Sequence, residues 1–400
     1  MMKRPLLVMA LLVIGVTAYG LIGWPGEKIE PEIPAPPFIP TPKPLELWEP
    51  LETFVGESMD VTIGIVGKGC RDCLLTVKGR DGIVISSCTF VNSKIVVEDS
   101  SDFEFSLCRL DDYYVHEDAA LQIHGSSGVL LDRCEVVNNS VGVAIGNCSD
   151  VEIMDCLFEG NDQHNAVTGL DCRGARIHGN LFRFNFPHAL MITNWEGDPL
   201  DQLDIYGNVF DRNIEDAINF EEFRGQAEAT LVRGNLFNGT SWAGVNVEYN
   251  SWNANIVIEG NYIDRNGLLV EDILEDGRPT SVYPAHSHQP EPYSAGWGHG
   301  IMLEDCCGVT VARNVIVSNV ESGIDVKNAR DIVVENNTIA LNRVGVYVAG
   351  YQESSLIRDF SPLALVDSGF SEVTKARNSV FLNVEEDWLV EEGSTVSSTD

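Results

Sequence analysis

Basic residues are scarce in this chain. Its 26 lysines and arginines stand against 60 aspartates and glutamates, a formal net charge of −34. That balance leaves no basic stripe or groove and excludes a nucleic acid as partner, because nucleic-acid affinity comes chiefly from neutralising phosphates. The same field repels polyanionic sugars unless a cation bridges them. Helical periodicity is missing between the strand-like segments, which argues against a conventional layered domain. No cysteine follows the N-terminal apolar run, which argues against a lipoprotein anchor, and no second apolar anchor is visible near the C-terminal end. Apolar residues are not lacking, at 44% of the chain. The chain therefore folds around a core and does not stay a disordered acidic polymer.

What fills the sequence is a repeat. Residues 217–240 (AINFEEFRGQAEATLVRGNLFNGT) and 244–266 (GVNVEYNSWNANIVIEGNYIDRN) share one plan: an alternating strand, a polar corner, a second alternating strand, a Gly-Asn pair and a third short strand. With the Asn of Gly-Asn as position zero, that column holds Cys88, Cys108, Cys134 and Cys156, then Asn180, Asn208, Asn235, Asn261, Asn314, Asn337 and Asn378. An apolar column two residues later runs from Phe90 to Val380, and another three residues earlier runs from Ile85 to Val334. A second asparagine column lies five residues after zero and includes Asn139, Asn161, Asn185, Asn213, Asn266, Asn319, Asn342 and Asn383. A fixed repeat with period-2 alternation predicts stacked coils, each placing its strands about 4.8 Å above those of the last. Stacked asparagines can bond one another and the backbone, and Asn also tolerates the left-handed conformation that tight corners need.

On these columns the chain resembles the right-handed parallel β-helix repeat proteins of the pectin-lyase-like superfamily, from about Cys70 to Asn383. The resemblance implies an all-β, single-stranded right-handed parallel β-helix of about eleven coils. It is specific for fold and says little of activity. The expected organisation is a signal peptide or membrane anchor at 1–24, a Pro-rich linker at 25–52, the β-helix at 53–386 with insertions at 267–298 and 351–370, and an acidic tail at 387–400. In the first segment Lys3 and Arg4 precede an uncharged run from Leu6 to Trp24. Basic residues stay inside, so the remainder is expected outside the cytoplasm, secreted or tethered, with membrane contact through that segment alone. Phe54 to Gly69 is expected to start and cap the solenoid.

The ten cysteines invite a disulfide reading in such a compartment. Cys88, Cys108, Cys134 and Cys156 fit instead as a buried thiol stack. Cys148 and Cys172 share a column and form the best disulfide pair. Cys70-x-x-Cys73 and Cys306-Cys307 look like half zinc sites but lie many coils apart. Asn138, Asn147, Asn238 and Asn336 begin glycosylation sequons, some of which fit equally as corner residues.

The strand before each polar corner is the one to inspect for chemistry; in β-helix enzymes, the resemblance implies, its exposed face forms the substrate groove. One outward row reads Met191, Asn219, Asn246, Met302, Asp325, Tyr347, and the next reads Glu221, Glu248, Glu304, Lys327. Three stacked carboxylates about 5 Å apart cannot all ionise without a counter-charge. They bind a cation such as Ca²⁺, lean on Lys327, hold a proton for acid catalysis, or form a plain solvated acidic ladder. No cofactor is required by this reading, and Ca²⁺ is the one ion it admits. His188, Asp216 and His299 precede these strands in one column, with His188 and Asp216 on neighbouring coils. Gly298-His299-Gly300-Ile301, Ile324-Asp325-Val326-Lys327 and Glu215-Asp216-Ala217-Ile218 resemble a degraded polygalacturonase-type glycoside hydrolase pattern. They depart from it in an extra coil between the acids and His299, an Asp325 where the family has Arg, and a missing upstream Asn-x-Asp element. The loop at 267–298, with Tyr283, His286, His288, Tyr293 and Trp297, is expected to project beside this face. Trp195, Trp242, Tyr249 and Trp252 are further aromatics for sugar stacking.

The expectation is a groove over residues 217–327 that binds and processes a polysaccharide as hydrolase or lyase. Glu215, Asp216, Glu221, Glu248, His299, Glu304 and Lys327 are the expected catalytic set. His188, Asn219, Trp242, Asn246, Tyr249, Trp297 and Asp325 are expected to bind substrate, and Glu221, Glu248 and Glu304 to hold any Ca²⁺. The alternative is a non-enzymatic surface adhesin or envelope scaffold that uses the solenoid as a rod.

Overall fold

Strict alternation over three to six residues makes short half-buried strands, and each strand here finds its partner one coil away. The computed structural model of the chain describes residues 33–45, 50, 52–193, 203–222, 228–250, 253–268, 298–350, 371–390 and 394–398. The expected leader or anchor at 1–24, nearly all of the first insertion and the whole of the second lie outside the described residues. No helix occurs among the described residues, and every strand pairing is parallel.

One stack is a 13-stranded sheet formed by the segments that follow position zero, such as Thr89–Val91, Leu181–Arg183 and Val315–Val317. The other two stacks are joined into a single 24-stranded sheet, because Val141–Met154 and Val167–His178 run unbroken through the corner between them. One of these carries the outward rows, from Ala119–His124 through Ile218–Glu221, Ala243–Glu248, His299–Glu304 and Ser322–Lys327 to Val344–Ala349.

The interior is filled by like on like. Phe158, Phe182, Phe210 and Phe237 are fully buried and stack ring on ring, with centroids 4.7, 5.0 and 4.9 Å apart. Each such pair contributes about 0.5–1.5 kcal/mol beyond its burial. At position zero, Asn208 Oδ1 accepts from the backbone N–H and Nδ2 of Asn180, both at 3.0 Å, while Asn208 Nδ2 donates to the Ile177 carbonyl at 2.8 Å. The same three bonds recur at Asn235, Asn261, Asn314, Asn337 and Asn378. The upstream cysteines fill the same role: Cys156 Sγ accepts from the Cys134 N–H at 3.3 Å and donates to the Leu131 carbonyl at 3.7 Å. The thiol stack therefore passes directly into the asparagine ladder, where Cys156 N–H donates to Asn180 Oδ1 at 2.8 Å.

The left-handed residue is not the ladder asparagine. It is the residue immediately before, at φ from 48° (Arg377) to 67° (Gly179), in all eleven coils from Ser87 onward. Residues immediately before the second ladder are left-handed too, including Asn138, Phe184, Arg265 and Leu382. The corner is turned one residue early, which aims the next side chain inward. This is why Gly recurs in Gly-Asn although the turn also accepts Arg, Ser and Asp.

Cys70 pairs in register with Phe90 in an apolar column, and Cys73 N–H donates to Ser93 Oγ at 3.0 Å in the second corner column. The Cys-x-x-Cys spacing is thus two solenoid positions and not half of a zinc site. All ten cysteines are buried, and Cys148 and Cys172 are register partners on adjacent coils. Asn138, Asn147 and Asn336 are left-handed corner residues, whereas Asn238 ends a strand.

Strand pairing extends beyond both expected ends. Glu52–Val55 pairs with Lys68–Arg71, so the N-terminal end is strand and not helix. Glu386–Val390 pairs with Val344–Ala349, and Thr395–Ser398 with Glu372–Ala376, so part of the stretch expected as an acidic tail belongs to the stacks. Within the stretch expected as a linker, residues 33–45 have no regular element, and Leu45 N–H donates to Glu135 Oε1 at 2.6 Å.

A carboxylate-lined strand face as candidate functional site

Small residues open each strand of this face because the coils meet there backbone to backbone. A Cβ built on Gly300 would lie 2.4 Å from the Gly323 carbonyl oxygen and 2.5 Å from Ile316 Cγ2. From that fixed start, alternation sends every second side chain outward in register. Glu221, Glu248, Glu304 and Lys327 are successive partners, and so are Met191, Asn219, Asn246, Met302, Asp325 and Tyr347. The two rows expected from sequence are therefore real columns, but Asn219, Asn246, Met302 and Asp325 are buried and not exposed as expected. His188, Asp216 and His299 share the column in front, with Ala243 between Asp216 and His299 and Ser322 after it.

Two polar networks result. In the first, Asn219 Nδ2 donates to Glu248 Oε1 at 2.9 Å and lies 3.4 Å from His188 Nε2. Asn246 Nδ2 donates to Asp216 Oδ2 at 3.2 Å, and the Ala243 N–H donates to Asp216 Oδ1 at 3.1 Å. His188 Nδ1 lies 3.5 Å from Asp216 Oδ2. Burial pushes His188 down to about 3. Burial, reinforced by Glu215 and Glu248, pushes Asp216 well above the carboxylate range. The two face each other as neutral groups, and their proximity is not an ion pair.

In the second network, Lys327 Nζ lies 2.8 Å from Asp325 Oδ2, and His299 Nδ1 is 2.7 Å from Ser322 Oγ and 3.4 Å from Asp325 Oδ2. Burial lowers His299 to about 4 in spite of Asp325. Burial opposes the charge on Lys327, but Asp325 and Glu304 outweigh it and its pKa rises. Ser322, His299 and Asp325 do not form a nucleophile relay, because serine and aspartate meet the same ring nitrogen.

Glu248 is the centre of the carboxylate ladder. Burial raises it to about 7, with Glu221 and Glu304 adding to the shift and Asn219 opposing it. Glu221 is raised by burial and by Glu222, and Glu304 by burial against the pull of Lys327. The Tyr249 phenol is raised by burial and then by Glu248, Glu304 and Glu221, which places it beside the ladder. Trp242 and Glu215 are half-buried near the column of Asp216. Trp297, Trp195, Trp252 and the other loop aromatics lie outside the described residues.

Among the described residues, the metal-capable side chains whose ligand atoms all lie within 4.8 Å of one another are His116, Glu117 and His164, an exposed group on another part of the surface. Glu248 already accepts from Asn219, and Glu304 is the register partner of Lys327. No step proposed below passes through Ca²⁺. Sequence reading overlooked Ser322 and Ala243, which complete the column between the two networks. Their register is legible once the coils are aligned, but serine and alanine carry no signal of their own.

Residues 63–210 match the family model described as right handed beta helix region, and residues 293–359 match the one described as periplasmic copper-binding protein (NosD). No curated protein is significantly similar to the chain. Among solved structures, a mutant of the periplasmic alginate epimerase AlgG is similar at TM-score 0.52 and 13% identity, over 84% of this chain and 78% of that one. The unmutated epimerase is similar at TM-score 0.48 and 14% identity over the same shares. The catalytic domain of a GH87 alpha-1,3-glucanase in complex with tetrasaccharides is similar at TM-score 0.45 and 15% identity, over 87% of this chain and 64% of that one. Stacked parallel strands and inward ladders, with the repeat model matched over residues 63–210, make the fold of this chain a right-handed parallel β-helix.

Proposed function

We propose that this protein acts outside the cytoplasm on a polysaccharide, binding it along the strand face of residues 217–327 and hydrolysing a glycosidic bond there. The observation that carries the reading is Glu248. It is half-buried mid-ladder, gripped by Asn219 at 2.9 Å, and keeps a proton near neutral pH. A carboxylic acid poised in this way can protonate a glycosidic oxygen as the bond to the anomeric carbon breaks. A second carboxylate attacks that carbon to form a glycosyl ester, and Glu248, now a carboxylate, takes a proton from the water that displaces the ester. Glu221 and Glu304 each lie one coil from Glu248, the spacing of about 5 Å that suits a retaining pair. Asp216 and Asn246 hold the front of the face, and His188, Tyr249 and Trp242 offer it polar and aromatic surface. Elimination fits less well, because a lyase must neutralise a uronate carboxylate and Lys327 is already engaged by Asp325.

The extracytoplasmic reading rests on the basic-then-apolar segment at 1–24 and on the periplasmic relatives by fold. Release of reducing ends from neutral and acidic glycans, with Glu248→Gln as control, tests the reaction. The expected result is cleavage of at least one glycan and a loss of 10²-fold or more in the variant, about the weight of one general acid. Glycan binding without cleavage by either chain would leave the adhesin or scaffold reading in its place.

A further inference from the structure

Five carboxyl groups, Asp216, Glu221, Glu248, Glu304 and Asp325, crowd four consecutive coils of one face. The cation in register with them is Lys327, and its Nζ is committed to Asp325 at 2.8 Å. Of the two histidines of the face His299 is buried and His188 half-buried, and both are held neutral near physiological pH. A sugar carboxylate entering this face would add charge of the prevailing sign and find no available cation among the described residues.

The second observation concerns hydrogen-bond polarity. Asn219 and Asn246 are 1% and 2% exposed. Each amide is oriented by a carboxyl group, which takes its Nδ2: Glu248 for Asn219 and Asp216 for Asn246. That orientation leaves Asn219 Oδ1 and Asn246 Oδ1 without a protein donor. Asp325, 1% exposed, gives its Oδ2 to Lys327 and likewise has no protein donor at Oδ1. The three oxygens belong to one row, Asn219–Asn246–Met302–Asp325, and all three are acceptors. Buried acceptors are costly to leave without donors.

We propose that the glycan taken by this face carries free amino groups, as in a polymer of unacetylated hexosamine. The proposal rests on the glycan-processing reading above and adds the substrate class. An ammonium brings three donors and one positive charge, which matches a row of acceptors that ends on the Asp325 carboxyl group. A neutral sugar brings hydroxyl donors without the charge, and a uronate brings more acceptors and the wrong charge.

Isothermal titration of the full chain at low and at physiological salt separates the cases, with four probes: a glucosamine oligomer, its N-acetylated counterpart, a uronate oligomer of equal length, and spermidine. The expected result is binding of the glucosamine oligomer, at least tenfold weaker binding after acetylation, and none of the uronate. Asp325→Asn, which keeps the side-chain shape, and Asn246→Leu should each weaken the glucosamine oligomer at least tenfold. Glu372→Gln, an exposed position on another stack, should leave it unchanged. Uronate or acetylated oligomer bound as tightly as the amine would overturn the amino-sugar assignment while leaving glycan processing intact. Spermidine bound as tightly as the oligomer, or an equal loss in Glu372→Gln, would reduce the effect to general attraction by an acidic surface and overturn it likewise. Binding of no oligosaccharide of any class would remove the functional reading itself.

Discussion

Glu248 shows how one side chain acquires its properties from position alone. In an unfolded chain it is an ordinary glutamate near 4.5; in the folded solenoid burial raises it to about 7. Between those values the folded chain holds a proton that the unfolded chain has lost, so this group's contribution to stability falls as pH rises through the window. Glu248→Gln removes the dependence. Relative to the parent, the variant should gain stability as pH rises from about 5 to about 7, by on the order of 2 kcal/mol after allowing for residual exposure. Melting temperatures of both chains across that range check it, and parallel curves would count against the buried proton. His188 and His299 act with the opposite sign. Their lowered values make the unfolded chain the better proton acceptor, so stability falls as pH drops below about 6.5 toward 4 and 3. The sequence marked Glu248 as one of three stacked carboxylates. It could not say that Asn219 takes one oxygen of Glu248 while Lys327 goes to Asp325, because those choices depend on side-chain packing across coils.

The coil is the element, and its corner is the part most tightly specified. A left-handed residue followed by an inward Asn, Cys, Ser or Thr satisfies the backbone of the preceding turn. Asn208 does so with three bonds. Asn208→Ala should cost about 2–4 kcal/mol, since buried groups lose partners on both adjoining coils. Asn208→Cys should cost less, because cysteine performs this task at Cys134 and Cys156. Urea unfolding of the three chains ranks them, and equal losses would show that the thiol is not a substitute. Gly300→Ala should destabilise by about 1–3 kcal/mol through overpacking, because its Cβ would press on the Gly323 carbonyl. The repeat columns were readable from sequence at this scale. The assignment of the left-handed turn to the residue before the asparagine was not, since a conserved spacing fixes which residues recur but not which of two neighbours bends the chain.

At the scale of the whole molecule, a net charge of −34 on a stack of parallel coils means self-repulsion. Raising NaCl from about 10 to about 150 mM, which shortens the screening length from about 30 to about 8 Å, should raise the melting temperature. EDTA at fixed ionic strength is expected to leave it unchanged, because Glu248 already accepts from Asn219 and Lys327 lies in register with Glu304. A chelator-induced drop would revive Ca²⁺ as a structural ion. Strand pairing at Glu386–Val390 and Thr395–Ser398 further predicts that truncation after residue 385 lowers stability and not merely length.

Sequence alone determined the architecture, because a solenoid repeats one local instruction and the columns of Asn, Phe and Ile record which residues stack. It also determined which side chains face outward together, since alternation and register leave no freedom once the coils are aligned. Tertiary structure decided what those side chains are to one another: which carboxyl keeps a proton, which lysine is already taken, which histidines are neutral and which amide oxygens lack donors. Those properties arise from burial and from contacts across coils 23 to 31 residues apart in the chain, and no single repeat contains them.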